Sequence, residues 1–277
     1  MKFSVANALV VASALRDAAQ SEVLPRFRAV VPNTVRTKSS PLDLVTDADV
    51  AAEAHIMKSL AQAFPNALLV GEESAARDPH ILEGLAAAEL ALVIDPIDGT
   101  KNFASGLPLF GVMAGVLHRG TIVAGVIHDP ITDDFAIAVR GEGAWIERPD
   151  GSRTDLKASA PLPVAEMLGM VSWMFMPEPL RSTVTGNLAC VAGAADYRTA
   201  AHEYRLIAGG HYDFLMFAKL APWDHVPGVL LHREAGGYSA CFDGEPYAVD
   251  RPAQGLLCAP DEASWLLLRE MLLGKRE

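Results

Sequence analysis

The chain has 277 residues, 51% of them hydrophobic and 21% charged, which is enough apolar material for one large core or two joined subdomains. This composition excludes intrinsic disorder and collagen-like repeats. The formal net charge is −11 and there is no run of five basic residues, so we expect no direct nucleic-acid partner and no membrane-surface role.

The N-terminal segment has the amphipathic pattern of a helix from residue 5 to about residue 30. A secretory signal peptide is the alternative, because the apolar stretch Phe3–Leu15 has small residues at 12–14 in the pattern of a cleavage site. Asn7 interrupts that stretch and a single lysine precedes it, so a helix of the mature protein is favoured.

The next elements are a helix and a series of strands. A helix is predicted from Val50 to Phe64, where apolar residues recur at helical spacing and Pro65 ends the pattern. The apolar period then changes to that of strands. The predicted strands are Ala67–Val70, Leu90–Ile94, Phe110–Leu117, Thr121–His128 and Asp134–Val139. Short gaps between the last three predict an antiparallel meander.

The polar segment Gly151–Pro163 predicts a boundary between an N-terminal subdomain, residues 1–150, and a C-terminal subdomain, residues 151–277. The second subdomain is predicted to contain a helix at Ala200–Ala208, an apolar run at Phe214–Phe217 and a helix from about Asp224 to Glu234. Strands in runs, with the helices set apart, favour an α+β fold over a Rossmann alternation.

The segment LALVIDPIDGTKNF, residues 90–103, carries the strongest chemical signal. Asp95 ends an apolar strand, Asp98 follows after a turn, and Gly99 allows a ligand to approach the backbone closely. Two carboxylates at the end of a strand suit a hard divalent cation, and Thr100 adds a hydroxyl. An acidic β-turn is the structural alternative.

Three further acidic segments have ordinary structural explanations when each is taken alone. Glu72 and Glu73 fit a solvated loop, Asp49 fits a helix-capping box with Thr46, and Asp224 fits the first turn of a helix. Together with Asp95 and Asp98 they hold too much negative charge to converge without cations. Because every candidate ligand is an oxygen, the predicted cofactor is Mg²⁺.

Other catalytic chemistries lack support in the sequence. There is no GxSxG elbow for a nucleophilic serine, and His225 and His232 fit packing or a surface role better than metal ligation. The cluster Trp173–Met176 fits a core or an interface.

The odd number of cysteines, without a CxxC pair, fits a reducing compartment, so we expect a cytoplasmic protein.

Four motifs taken together resemble those of the inositol monophosphatase family, which belongs to the lithium-sensitive, Mg²⁺-dependent phosphatases. They are KSSPLDLVTDAD at 38–49, GEES at 71–74, DPIDGTKNF at 95–103 and WDHVPGVLLHREAGG at 223–237. The resemblance implies a layered αβαβα sandwich of the inositol monophosphatase and fructose-1,6-bisphosphatase type. It also implies a homodimer.

The resemblance further implies a site with two to three Mg²⁺ ions. Glu72 and Asp95 with the carbonyl of Ile97 are expected to bind one ion, and Asp95, Asp98 and Asp224 a second. A third, weaker ion is expected near Glu72 and Glu73. The catalytic residues implied are Asp49, Glu72 and Thr100, with Asp49 and Thr100 orienting the attacking water.

The substrate-binding residues implied by the resemblance are Lys38, Gly99, Thr100, Thr199, Ala200, Asp213 and Phe217. Phe217 departs from the family pattern, because members that act on inositol phosphate carry a glutamate there to bind the hydroxyl groups. Loss of this acceptor weakens recognition of polyols.

The expected function is therefore hydrolysis of a small phosphate monoester, inositol monophosphate or a related compound. Fructose 1,6-bisphosphate, histidinol phosphate and 3′-phosphoadenosine 5′-phosphate are alternative substrates. A catalytically silent module that binds metal or phosphate, and a regulatory protein that binds RNA or the transcription machinery, are alternatives of another class.

Overall fold

The computed structural model describes residues 3–29, 35–37 and 44–274, so Lys38 lies outside the described residues. The helices are α1 (Val5–Ala18), α2 (Asp47–Ala63), α3 (Glu72–Arg77), α4 (Thr100–Ala104), α5 (Leu180–Asn187), α6 (Ala200–Ala208), α7 (Pro222–Glu234) and α8 (Glu262–Leu273). The strands of the first half are β1 (Val35–Thr37), β2 (Leu44–Thr46), β3 (Leu68–Gly71), β4 (Ala91–Asp98), β5 (Gly111–His118), β6 (Thr121–Asp129), β7 (Asp134–Val139) and β8 (Gly143–Glu147). They are followed by β9 (Arg153–Asp155), β10 (Leu168–Val171), β11 (Gly193–Ala195), β12 (Phe214–Phe217), β13 (Tyr238–Cys241) and β14 (Leu256–Ala259).

Two large sheets form the framework. The first has seven strands in the order β3-β4-β5-β6-β7-β8-β9, and only its β3–β4 pair is parallel. The second has five strands in the order β11-β10-β12-β14-β13. A short antiparallel ribbon, β1–β2, precedes α2.

The helices form three layers around these sheets. Helices α1 and α2 pack against one face of the seven-stranded sheet, and α6 and α7 lie between the two sheets. Helices α5 and α8 pack together, and α8 covers the outer face of the five-stranded sheet. The layer order is therefore αβαβα, which confirms the predicted fold class.

Most of the predicted elements of the first half are present. The N-terminal segment is helical as far as Arg26, so the helix ends earlier than the predicted residue 30. After α1 it continues as a π-helical turn at 19–23 and a 3₁₀ turn at 24–26. Buried residues of α1, among them Val11 and Leu15, join the core. The antiparallel meander of β5, β6 and β7 is confirmed. No helix among the described residues has both the length and the apolarity needed to cross a bilayer.

The helices and the strand predicted in the second half are also present. Helix α6 and strand β12 have the expected bounds, and α7 begins at Pro222 rather than Asp224. The segment Gly151–Pro163 begins inside the first sheet, because β9 pairs with β8, and leads to the second sheet through residues 156–163. The division into two subdomains at residue 150 remains a prediction.

Helix α7 lies very close to the first sheet. Gly115 of β5 and Gly125 of β6 are paired across the strands. A Cβ atom on Gly115 would lie 2.4 Å from Val226, and one on Gly125 would lie 2.4 Å from the carbonyl oxygen of Pro227. These two glycines allow the first turns of α7 to contact the sheet directly, and this contact fixes the position of Asp224.

Candidate active site

Three carboxylates from distant parts of the chain meet in one cavity. Carboxylate oxygens of Asp95, Asp98 and Asp224 all lie within 4.8 Å of one another. Asp95 is 2% exposed, whereas Asp98 and Asp224 are half-buried. Glu72 lines the same cavity. Asp95, Asp98 and Asp224 therefore converge, and Glu72 shares their cavity.

An irregularity in β4 explains why Asp95 and Asp98 reach the same cavity. Asp98 lies three positions after Asp95, but their partners on β5, Met113 and Gly111, are only two positions apart. In a regular strand, residues three apart point to opposite faces. The extra residue bends the strand and changes the direction of the side chains after it.

Hydrogen-bond donors hold Asp95 and Asp98 in place. Asp95 Oδ1 accepts a hydrogen bond from the Ile97 amide at 3.0 Å. Asp98 Oδ2 accepts one from Thr199 Oγ1 and one from the Ala201 amide, each at 2.6 Å. Asp224 lies in the first turn of α7. The bonds to Asp98 join the β4 end to the start of α6, so the site spans both halves of the chain.

Glu72 is positioned by a buried carboxylate that the sequence analysis did not assign to the site. Glu53 of α2 is 2% exposed and accepts hydrogen bonds from the amides of Glu73, at 2.6 Å, and Ser74, at 2.8 Å. These amides begin α3, where a carboxylate is favoured by the helix dipole and by unpaired donors. Glu53 therefore fixes the start of the helix whose first residue is Glu72.

Asp49 and Thr100 form a second polar pair beside the carboxylates. Asp49 Oδ2 accepts bonds from the Thr46 amide, at 2.8 Å, and from Thr46 Oγ1, at 2.6 Å, which confirms the predicted capping box. Thr100 Oγ1 lies 3.2 Å from Asp49 Oδ1 and 2.9 Å from the Ile97 carbonyl oxygen. Its single proton can serve only one of these acceptors at a time.

Gly99 allows the chain to turn between Asp98 and Thr100. Its φ of +85° is left-handed, and a Cβ atom there would lie 2.9 Å from the Leu109 carbonyl oxygen and 3.1 Å from Thr199. Both the conformation and the close contacts favour glycine.

The acids raise one another's pKa values. Burial raises the pKa of Asp95 well above its ordinary value, and the charges of Glu72 and Asp98 raise it further. Burial, with the charges of Asp98 and Glu72, raises the pKa of Asp224 to about 8. Burial raises the pKa of Asp49 to about 7. The folded chain therefore holds carboxyl groups whose negative charge is unfavourable unless a cation is present.

The donor set fits a hard divalent cation. All the converging side chains offer carboxylate oxygens, and no sulfur or imidazole ligand joins the cluster that the described residues form. Oxygen-only sites of this kind suit Mg²⁺ or Ca²⁺ rather than the softer transition metals.

The remaining cavity wall includes residues that were not predicted from the sequence as site residues. Three are cationic (Lys101, Arg198, Lys219), one is a buried carboxylate (Glu203) and one is aromatic (Phe175). These residue types are common on any protein surface, so only their convergence on one cavity indicates that they belong to the site. Trp173 of the predicted cluster is 40% exposed and Met176 belongs to the core.

The other predicted site residues lie at different distances from the cavity. Ile97, Thr199 and Ala200 line it, whereas Glu73 is buried and does not line it. Asp213 does not line the cavity. Its carboxylate accepts a 2.8 Å hydrogen bond from the Leu168 amide and so ties the start of β12 to β10.

Phe217 lines the cavity but is only 7% exposed. Its ring packs against His225, with ring centroids 4.7 Å apart, and against Tyr204. His225 is itself bonded to the Tyr204 hydroxyl and the Lys219 carbonyl, and His232 to Ser239. These contacts confirm the packing role of both histidines and make Phe217 part of an aromatic cavity floor.

Known proteins resemble this chain over most of its length. An inositol-1-monophosphatase of Bacillus subtilis is 31% identical over 217 residues, which are 77% of this chain and 78% of that protein. The Nus factor SuhB of Escherichia coli K12 is 33% identical over 208 residues, 73% of either chain.

Solved structures show the same fold. The extragenic suppressor protein suhB of Bartonella henselae superposes with a TM-score of 0.78 at 29% identity, covering 96% of this chain and 97% of that one. Inositol monophosphatase II of Staphylococcus aureus gives a TM-score of 0.80 at 23% identity, covering 98% and 96%, a likeness of fold. A model of the inositol monophosphatase family matches residues 4–275. The chain belongs to the inositol monophosphatase family.

Proposed function

We propose that this protein is a Mg²⁺-dependent phosphomonoesterase that hydrolyses a small phosphate monoester. The observation that carries the proposal is the convergence of Asp95, Asp98 and Asp224 within 4.8 Å, with Glu72 on the same cavity. The raised pKa values of Asp95 and Asp224 support it, because a bound cation removes the repulsion between the carboxylates.

The residues that would hold Mg²⁺ are Glu72, Asp95, Asp98 and Asp224, with the carbonyl of Ile97. Two to three ions remain the proposed number. When bound, Mg²⁺ lowers the pKa of water to give hydroxide near neutral pH and neutralises charge on the phosphate and the leaving group.

The protein's own groups position the reactants. When Thr100 donates its proton to Asp49, its lone pairs can accept a hydrogen bond from the attacking water and so fix its direction. Asp49 is the acceptor for that proton, and in the metal-free chain burial raises the pKa of its carboxyl group to about 7. Gly99, without a side chain, leaves room for the phosphate at the backbone.

Replacement of Asp95 tests the proposal. Asp95→Asn should reduce phosphate release from p-nitrophenyl phosphate to the background rate, because it removes a charge from the centre of the cluster. Asp155→Asn is a matched control on an exposed strand, and it should leave turnover unchanged. If the protein is instead a catalytically silent binding module, the unaltered chain will bind Mg²⁺ in calorimetry but will release no phosphate.

We further propose that the protein is inhibited by lithium, forms a homodimer and acts in the cytoplasm, with a small phosphate ester as its partner. Inhibition of phosphate release by Li⁺ but not by Na⁺, and a sedimentation mass of two chains, are the expected results. An unchanged rate in Li⁺ would contradict the first, and a mass of one chain the second.

A further inference from the structure

Arg198 has a backbone conformation that suits glycine. Its φ is +59°, in the left-handed region, and it lines the cavity next to Thr199. A residue with a Cβ atom is disfavoured there, and the chain uses glycine for this conformation elsewhere, as at Gly99. Among the described residues Arg28, Arg119 and Asp133 also have a positive φ, but of these four only Arg198 lines the cavity, which favours a role of its side chain there.

Two carboxylates hold the backbone of Arg198 in this conformation. The Arg198 amide donates to Asp196 Oδ1 at 2.9 Å and to Glu203 Oε1 at 3.2 Å. Glu203 is 1% exposed, and its Oε1 also accepts a bond from the Tyr197 amide at 2.8 Å. The turn is thus fixed by three hydrogen bonds to acids, which keeps Arg198 at the cavity wall.

The guanidinium group of Arg198 has unused hydrogen-bonding capacity. Its Nε atom is shielded from solvent and has no hydrogen-bond partner among the described residues. A buried donor without an acceptor is unfavourable, and native structures contain few of them. An anionic ligand group in the cavity would supply the missing acceptor.

The surroundings of Arg198 favour an anion on the alcohol part of a substrate. Thr199, the next residue, donates to the metal-ligand candidate Asp98, so Arg198 directly precedes a residue that contacts the cluster. Lys101 and Lys219 line the same cavity. At position 217 the aromatic ring of Phe217 carries no charge that would repel a second anion.

We propose that Arg198 recognises a second anionic group, a carboxylate or a phosphate, on the alcohol part of the phosphate monoester. A guanidinium binds either group through two parallel hydrogen bonds. The inference rests on the proposed phosphomonoesterase function and names the class of its substrate.

Matched esters test this inference on the full-length protein with Mg²⁺. Glycerol 3-phosphate is compared with glycerate 3-phosphate, and fructose 1-phosphate with fructose 1,6-bisphosphate, with p-nitrophenyl phosphate as the common reference. The unaltered protein should prefer the ester with the second anion in at least one pair, and the preferred pair distinguishes a carboxylate from a phosphate. Arg198→Gly should lower that preference about 10- to 100-fold, mainly through KM.

The variants separate charge recognition from a structural effect. Glycine accepts the left-handed backbone, so Arg198→Gly should keep the thermal midpoint, and Arg198→Lys should restore part of the preference. Arg119→Gly is a matched control, because Arg119 also has a left-handed φ of +48° but follows the far end of β5. It should leave the preference unchanged.

Three outcomes would overturn the inference, and they are distinguishable. Hydrolysis of p-nitrophenyl phosphate without a preference in either pair, or an equal loss on all esters in Arg198→Gly, refutes the role of Arg198 alone. Absence of hydrolysis of every ester by the unaltered protein refutes the proposed function as well.

Discussion

Thr100 has one hydroxyl proton and two acceptors, Asp49 Oδ1 and the Ile97 carbonyl oxygen. In the proposed reaction the Ile97 carbonyl belongs to the metal site, so the Thr100 proton is directed to Asp49. The remaining lone pairs of the hydroxyl then face the water that attacks phosphorus. The role assigned to Thr100 therefore depends on its hydroxyl and not on its shape.

Replacement of Thr100 separates these two properties. Thr100→Val keeps the β-branched shape and removes the hydroxyl, so kcat for p-nitrophenyl phosphate should fall about 10²-fold or more while KM changes little. Thr100→Ser keeps the hydroxyl and should retain most of kcat. Equal rates in the valine variant and the unaltered protein would contradict the assigned role.

For individual residues, the sequence predicts the acids that lie in a recognisable local motif. It does not predict residues whose role depends on contacts with backbone groups far away in the chain. Asp95 and Asp98 are recognisable because a strand end, a proline and a glycine surround them. Glu53 and Arg198 have no such signal. Glu53 acts on amides 20 and 21 residues away. Arg198 is distinctive by its φ and by an Nε atom without a partner among the described residues, and neither feature is visible in the sequence.

Helix α7 brings Asp224 to the cluster because two paired glycines let it lie directly on the sheet. The Cβ atom of an alanine at Gly125 would overlap the backbone of Pro227. Backbone atoms cannot rotate away as a flexible side chain can, so the helix itself has to move. Asp224, in the first turn of α7, would move with it.

We expect Gly125→Ala to destabilise the protein by about 1–3 kcal/mol, measured by urea denaturation, because it overfills a packed interface. It should also raise the Mg²⁺ concentration for half-maximal activity, since Asp224 is displaced. Gly186→Ala is the control, as no atom lies within 4 Å of its new methyl group. A Gly125→Ala variant with the stability and Mg²⁺ response of the unaltered protein would show that α7 is not seated in this way.

At the scale of elements, periodicity predicts positions better than it predicts ends. The sequence of β4 is a continuous apolar run because both faces of the strand are buried. Leu92 packs on the side of α1 and α2, and Val93 on the side of α7. The pattern cannot show that the strand continues through Pro96 to Asp98, nor that an extra residue there turns Asp98 toward Asp95. That bend depends on pairing with β5.

Across the whole molecule, buried histidines and buried carboxyl groups change the free energy of unfolding with pH in opposite directions. Burial lowers the pKa values of His128 and His225 to about 4 and of His232 to about 3, against about 6.5 in the unfolded chain. The unfolded state then binds more protons between those values, so the histidines make stability rise with pH up to about 6.5. A smaller rise continues to about pH 7.5, because at pH 6.5 half of the histidines of the unfolded chain are still protonated.

The buried carboxyl groups act in the other direction. With pKa values of about 7 for Asp49 and about 8 for Asp224, against 3.8 in the unfolded chain, the folded apoprotein holds protons that the unfolded chain has already lost. Stability of the metal-free protein should therefore fall as pH rises through these values. Between pH 6.5 and 8 this fall exceeds the small rise that remains from the histidines, because both carboxyl groups titrate there in the folded state.

The thermal midpoint of the EDTA-treated protein should accordingly decrease from pH 6.5 to pH 8. Excess Mg²⁺ should abolish the decrease, because a bound cation favours the ionised carboxylates, and it should stabilise the protein more at pH 8 than at pH 6.5. Asp224→Asn removes one of the titrating groups and should flatten the EDTA profile. A midpoint that stays constant or rises across this window in EDTA would mean that the acids are not held together in the folded apoprotein.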